Sequence, residues 1–167
     1  TLRVKPLVSF RSHHSLLKEG PRFQDAVERI PKGLRIFVPE VAELFLISSS
    51  SGLEQKPVWY HNVEYDQERR RGLDYQEDLF CPGQFEFTLH QEDTAWWSAV
   101  RGQLPPGHGK SWYLEEQAKL DERTSKRNWR SPLPRVLSMA ADQFMVRRNS
   151  GSSIVAGYPW FEEWSRD

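Results

Sequence analysis

The sequence predicts a mainly β protein with carboxy-terminal helices, an antiparallel β-sandwich followed by a helical linker. Three observations carry that expectation. Short stretches with apolar residues at alternate positions recur up to Arg101, separated by clusters of Gly, Pro and Ser. Strands turn successive side chains to opposite faces, so this pattern suits sheets with one buried side. Next, Gly102-Gln103-Leu104-Pro105-Pro106-Gly107-His108-Gly109 cannot continue a ladder and should end the sheet region. Beyond Ser131, finally, the apolar spacing shifts to three and four, the period of a helix.

Along the first half, Leu2, Val4, Pro6, Val8 and Phe10 alternate with Arg3, Lys5 and Ser9. Pro6 has no N–H to give a ladder, so this strand should be an edge or carry a bulge. Gly20-Pro21 is a turn. Leu34-Arg35-Ile36-Phe37-Val38 and Leu44-Phe45-Leu46-Ile47 are two further strands separated by Pro39. The serine run 48–51 with Gly52 has the composition of a flexible surface loop. Residues 58–65 form another extended stretch, and Gln84-Phe85-Glu86-Phe87-Thr88-Leu89-His90 gives a strand with Phe85, Phe87 and Leu89 on one face. Residues 94–100, with Trp96 and Trp97, make one more. Repeated short strands with turn signals favour a sandwich.

In the second half, Ser111 can cap a helix from Trp112 to about Lys126, with Glu115/Lys119 and Glu122/Lys126 at the favourable four-residue spacing. It is polar on most sides and belongs on a surface. Ser131-Pro132 starts the next helix, on which Leu133, Val136, Leu137, Ala140 and Phe144 share a face. Met139, Ala141, Met145 and Val146 widen that face, so this helix is expected to be buried. Asp142 would pair with Arg147 or Arg148, or approach a substrate. Residues 149–152 read as a turn and 153–156 as a short strand. The division expected is 1–101 for the sandwich, 102–131 for linker and surface helix, and 132–167 for the buried helix and a loop.

With 167 residues the chain has room for one domain with an appendage. Its 23 basic and 23 acidic side chains cancel, so no net field steers it to nucleic acid or to an anionic membrane. It has no apolar run of membrane-spanning length. A single Cys81 allows no internal disulfide, which favours a cytoplasmic location. The sequence starts in a strand-like pattern and stops inside a motif, and so reads as a piece of a longer protein.

Signals for chemistry are sparse until the end. His13-His14 has no partner at metal-ligand spacing, and no phosphate loop or nucleophile motif stands out, so neither metal nor cofactor is expected. The adjacent acids Glu77-Asp78 and Glu162-Glu163 do not define the two-carboxyl geometry of glycoside hydrolysis. The last residues differ. Tyr158, Trp160 and Trp164 surround Pro159 and lead to the adjacent pair Arg166-Asp167. An aromatic face can stack on a sugar ring, while a guanidinium beside a carboxylate offers donors and acceptors to vicinal hydroxyls. The alternative is a turn whose aromatics fill a core and whose Arg and Asp pair with each other.

Two blocks carry a family resemblance. Ala140-Ala141-Asp142-Gln143-Phe144-Met145-Val146-Arg147-Arg148, with the run Ala156-Gly157-Tyr158-Pro159-Trp160-Phe161-Glu162-Glu163-Trp164-Ser165-Arg166-Asp167, resembles the opening of the catalytic domain in bacterial and archaeal glycogen debranching enzymes. These are of the amylo-α-1,6-glucosidase type, related to glucoamylases, and usually show an A-D-x-F-x-V-R-R helix, then A-G-Y-P-W-F and W-G-R-D. Ser165 stands where the family has Gly. Trp59-Tyr60-His61-Asn62-Val63-Glu64-Tyr65, Arg71-Gly72-Leu73-Asp74 and Glu77-Asp78-Leu79-Phe80-Cys81-Pro82-Gly83 resemble that family's amino-terminal blocks W-Y-x-N-F-E-Y, R-G-L-D and E-D-L-F-S-P-G. Val63 replaces Phe and Cys81 replaces Ser.

The resemblance implies a supersandwich-like domain followed by a helical linker to an (α/α)6 barrel that this chain lacks. It implies hydrolysis of α-1,6-glucosidic branch points in an α-glucan such as glycogen or limit dextrin, without cofactor. The general acid and base would lie in the barrel, so no catalytic residue is assigned here. Arg166 and Asp167 would recognise glucose hydroxyls, with Trp160 and Tyr158 as walls. Alternatives are a non-catalytic carbohydrate-binding or interdomain scaffold module, or a glucoamylase-like α-1,4-glucosidase.

Overall fold

The structure is a computed structural model that describes residues 1–12, 15–23, 26–107, 109–125, 131–148 and 151–155. The chain divides into two compact units, Thr1–Trp112 and Tyr113–Asp167.

The first unit holds two antiparallel sheets. In one, β1 (Leu2–Val4), β6 (Gln76–Phe87) and β5 (Gly52–Glu64) lie in the order β1-β6-β5. The other has the order β2-β3-β4-β7, from β2 (Val27–Ile30), β3 (Gly33–Val38), β4 (Ala42–Ser48) and β7 (Trp97–Arg101). Leu34, Ile36, Val38 and Leu46 of the second sheet and Phe80, Phe85 and Phe87 of the first form one buried cluster. Leu17, Phe23 and Ala26, from the connection joining β1 to β2, complete it. Each buried Leu, Ile, Val or Phe side chain contributes about 1.5–3 kcal/mol relative to exposure. This is the mainly β, sandwich-type architecture expected.

β1 stops at Val4 and the chain returns to β6 only at the Val8–Phe80 bridge, so Pro6 does break the strand. β6 carries Pro82 at its centre, and neither neighbour pairs with it. On one side the paired positions jump from Val4–Phe85 to Val8–Phe80, and on the other from Gln55–Gly83 to Val58–Cys81. The two gaps contain Pro6 and Pro57, so three prolines without N–H groups gather where no ladder bond is needed. Across these gaps β6 is one residue longer than the β1 side and one shorter than β5, and Phe80 and Phe85, five residues apart, both reach the core. At Gly83 a Cβ would come within 2.2 Å of the Glu54 carbonyl oxygen, so only glycine allows β5 this close.

Several elements depart from expectation. β2 has no clear alternation (half-buried only at Val27 and Ile30) but is joined to β3 by Pro31-Lys32, with Lys32 at φ +63°. Proline followed by a positive φ suits a type II turn. Leu89 lies past the end of β6 and is exposed, unlike Phe85 and Phe87. The serine run is a tied crossing between the sheets rather than a flexible loop. Ser48 N donates to Lys32 O at 3.0 Å, Ser49 N to Trp96 O at 3.0 Å and Ser51 N to Glu86 O at 2.9 Å. The Ser49 hydroxyl in turn accepts from Trp96 N at 3.0 Å. Small side chains with their own oxygens satisfy backbone groups where no ladder continues.

β5 and β6 are joined through α1 (Asp66–Arg70), where Arg69 and Arg70 both pair with Asp66 and Arg71 pairs with Glu68. The mixed charge of this stretch is thus met locally. The helix α2 (Gly109–Ser125) starts within the first unit, where Trp112 Nε1 donates to Pro106 O at 2.9 Å.

In the second unit, α3 (Pro132–Asp142) begins at Ser131 and Pro132 as expected. None of its residues is buried; Leu133 is 64 % exposed, and Val136 and Leu137 are 59 % exposed. The described helices and hairpin of this unit leave an apolar face of that width uncovered. The family-type helix through Arg148 is also corrected. Residues Met145–Arg148 form β8, which pairs with β9 (Gly151–Ile154) from Met145–Ile154 to Arg148–Gly151. Their backbone groups bond across that hairpin, where a helix would have used them internally. Asp142 pairs with Arg123 of α2 at 2.9 Å, a partner that its local spacing did not suggest.

Candidate functional site

The most constrained polar centre in the described residues is built on Glu77 and Asp78 at the start of β6. Glu77 is wholly buried. Its carboxylate accepts from the Arg11 guanidinium through Nε and, at 2.9 Å, Nη2; from Tyr65 Oη at 2.5 Å; and from Leu17 N at 3.0 Å. Burial pushes the Glu77 carboxyl up, but the bonds from Arg11, Tyr65 and Leu17 outweigh it, and its pKa falls below the usual range. Tyr65 is raised, by burial first and then by Glu77. Asp78 accepts from Asn62 N at 2.9 Å and Glu19 N at 3.0 Å. Those two N–H groups, helped by Lys18 and His61 against the cost of burial, lower its pKa to about 2.

This centre fastens rather than reacts. Arg11, Leu17 and Glu19 all belong to the connection leaving β1, and Asp78 N donates to Leu17 O at 2.8 Å as well. The acid pair therefore clips that connection along β6. Both carboxyls are ionised at neutral pH with every oxygen hydrogen-bonded, which removes them as general acids. Sequence reading noted the pair but not its partners. Arg11 lies 66 residues from Glu77, and no local spacing announces a contact of that range.

Two open grooves border the first unit. One, of about 620 Å³, has Trp59, Phe23 and Phe80 along it, with Gln55 and Glu19 at its polar positions. Trp59 stands edge-on to Phe23 with centroids 4.9 Å apart and tilts against Phe80 at 5.2 Å. The other, of about 480 Å³, lies between the connection after β1 and the ends of β4 and β7.

The residues expected to bind sugar, Tyr158, Trp160, Arg166 and Asp167, lie outside the described residues, as do Trp164, His13 and His14. What is described is the hairpin leading toward them. Just past β9, Val155 N donates to Phe144 O at 2.8 Å. Among the described residues no cluster of His, Cys, Asp and Glu could hold a metal ion. No described helix is long and apolar enough to cross a membrane.

Comparison with known families decides the identity. Residues 1–96 match the family described as glycogen debranching enzyme N terminal. The chain belongs to this family. The match covers both sheets almost to β7, so the bulged β6 and its acid pair are features of a debranching-enzyme amino-terminal domain. Residues 139–167 match a second family, amylo-alpha-1,6-glucosidase, beginning within α3. No curated protein and no solved structure matches the chain.

Proposed function

We propose that this chain is the amino-terminal part of a glycogen debranching glucosidase that hydrolyses α-1,6-glucosidic branch points, releasing glucose by attack of water. The observation that carries the reading is the order of the two family matches, 1–96 and then 139–167. Its substrate is an α-glucan such as glycogen or limit dextrin, and it acts in the cytoplasm without a cofactor. In this reading 1–101 is the sandwich, 102–131 the linker, and 132–167 the opening of the catalytic domain. Such hydrolysis uses two carboxyl groups, about 6.5–9.5 Å apart when configuration inverts. Glu77 and Asp78 are committed to backbone and arginine bonds. The acid and base accordingly belong to an (α/α)6 barrel, and this chain contributes Arg166 and Asp167 for glucose hydroxyls with Trp160 and Tyr158 as walls. The exposed apolar face of α3 at Leu133, Val136 and Leu137 fits contact with that barrel.

Arg166→Ala and Asp167→Ala, made in the enzyme with its barrel, are expected to lower turnover on limit dextrin by about 10²-fold or more through lost positioning. Unchanged kinetics in both variants would overturn the site assignment. A second reading, a non-catalytic carbohydrate-binding module, is favoured by the groove at Trp59. Saturable binding of maltooligosaccharide by this chain, lost in Trp59→Ala and retained in Arg166→Ala, would select it.

A further inference from the structure

We propose that the groove between the connection after β1 and the ends of β4 and β7 is a binding site for a phosphomonoester of hexose size. The inference does not depend on the glucan reading. Among the described residues lining the groove are three arginines, Arg11, Arg22 and Arg101, and no carboxylate, in a chain whose net charge is zero.

The arginines differ in what holds them. Arg11 is fixed by buried Glu77 and by Ser12 O at 3.0 Å, so it forms a rigid, neutralised wall. Elsewhere in the first unit the arginines have protein acceptors. Arg3 bonds Glu86, Arg29 bonds Leu53 O, Arg35 bonds Glu28 and Glu43, and Arg69, Arg70 and Arg71 bond the acids of α1. Arg22 and Arg101 are the exceptions among the described arginines of that unit. The guanidinium of Arg22 rests 5.5 Å from the ring of its own neighbour Phe23, and Arg101 sits at the end of β7 opposite Leu44. That both unanswered guanidinium groups of the first unit border one groove is what singles it out.

Two planar guanidinium forks suit a dianion with several equatorial oxygens, whereas a carboxylate answers only one of them. The Ser9 hydroxyl adds a further polar group, and Phe10 and Leu44 give an apolar floor. A volume of about 480 Å³ leaves space beside the phosphate for a sugar ring.

The test is calorimetric titration of the full chain at low salt with glucose 6-phosphate, inorganic phosphate, sulfate and glucose. Saturable one-to-one binding of the hexose phosphate is expected, tighter than inorganic phosphate, weakened by salt and absent for glucose. Arg22→Ala/Arg101→Ala should weaken it by at least about tenfold, while Arg70→Ala on α1 should leave it unchanged. If the double alanine variant does not fold, Arg22→Lys/Arg101→Lys keeps the charge and loses the fork, and a similar loss supports the site. No saturation below about 10 mM overturns the proposal, as does binding unchanged in the double variant. Equal weak binding of sulfate, phosphate and hexose phosphate means an adventitious ion only, and also overturns it.

Discussion

The first unit and the second handle the same two problems in opposite ways. In the first, apolar side chains from two sheets meet in one buried cluster, and even its buried acids, Glu77 and Asp78, are matched by donors. In the second, α3 gathers Leu133, Val136 and Leu137 on one face and leaves all three exposed. The described ion pairs of the second unit, such as Arg123–Asp142, stand in water. The difference teaches that local patterning can specify a helix without supplying what stabilises it, because burial needs a second surface.

Truncation should expose that contrast most strongly. Phe85→Ala removes a wholly buried ring that stands T-shaped to Trp97, and should destabilise the first unit by about 3–5 kcal/mol. Leu137→Ala removes a residue 59 % exposed, and should change stability by less than about 0.5 kcal/mol. Chemical denaturation with amide exchange read separately in each unit checks both. A comparable loss from Leu137→Ala would mean that α3 is already covered and would break the comparison.

Next in size is the acid pair. Glu77→Ala leaves the partly buried Arg11 guanidinium without its carboxylate, at a cost of about 3 kcal/mol, at the lower end because Arg11 retains some exposure and its bond to Ser12 O. The pH dependence follows from the same geometry. The pKa of Asp78 falls from 3.8 in the free side chain to about 2 in the fold, and that of Glu77 is lowered too. A carboxyl whose folded pKa is depressed lends stability that is fully present above its unfolded value and disappears as pH falls through the folded one. The first unit should therefore hold a constant denaturation midpoint down to about pH 5 and lose stability from there to about pH 2. Asp78→Asn should shrink that loss. A midpoint that instead falls as pH rises through neutrality would contradict the assignment.

Which parts of this were legible follows the range of the interactions. Alternation located β3, β4 and the carboxy-terminal half of β6, because a half-buried strand writes its face into the sequence at period two. It missed β2, whose residues are mostly exposed, and the amino-terminal half of β6, where consecutive residues from Glu77 to Gly83 are nearly all shielded and alternation vanishes. The serine crossing was misread because composition records polarity and not the backbone groups that Ser49 and Ser51 satisfy. For the acid pair, the presence of the carboxylates was plain, but Arg11 and Tyr65 reach Glu77 only through the tertiary fold. The sugar-site residues Tyr158, Trp160, Arg166 and Asp167 were reached through family likeness, and their geometry lies outside the described residues.

The smallest expected effect tests the other side of the contrast. Arg123 and Asp142 meet at 2.9 Å with side chains 62 % and 46 % exposed. Water screens such a pair, and ordering two side chains opposes the attraction, so Arg123→Ala should cost no more than about 0.5 kcal/mol and less still in high salt. The sequence offered Arg147 and Arg148 as partners for Asp142, five and six residues along an imagined continuous helix. The turn into β8 takes those arginines into a strand, which frees Asp142 to meet α2 instead. Double-mutant cycles in stability should accordingly find coupling between Arg123 and Asp142 and none between Arg147 and Asp142. The reverse outcome would restore the helix through Arg148, and with it the view that unit two is organised by its own local sequence.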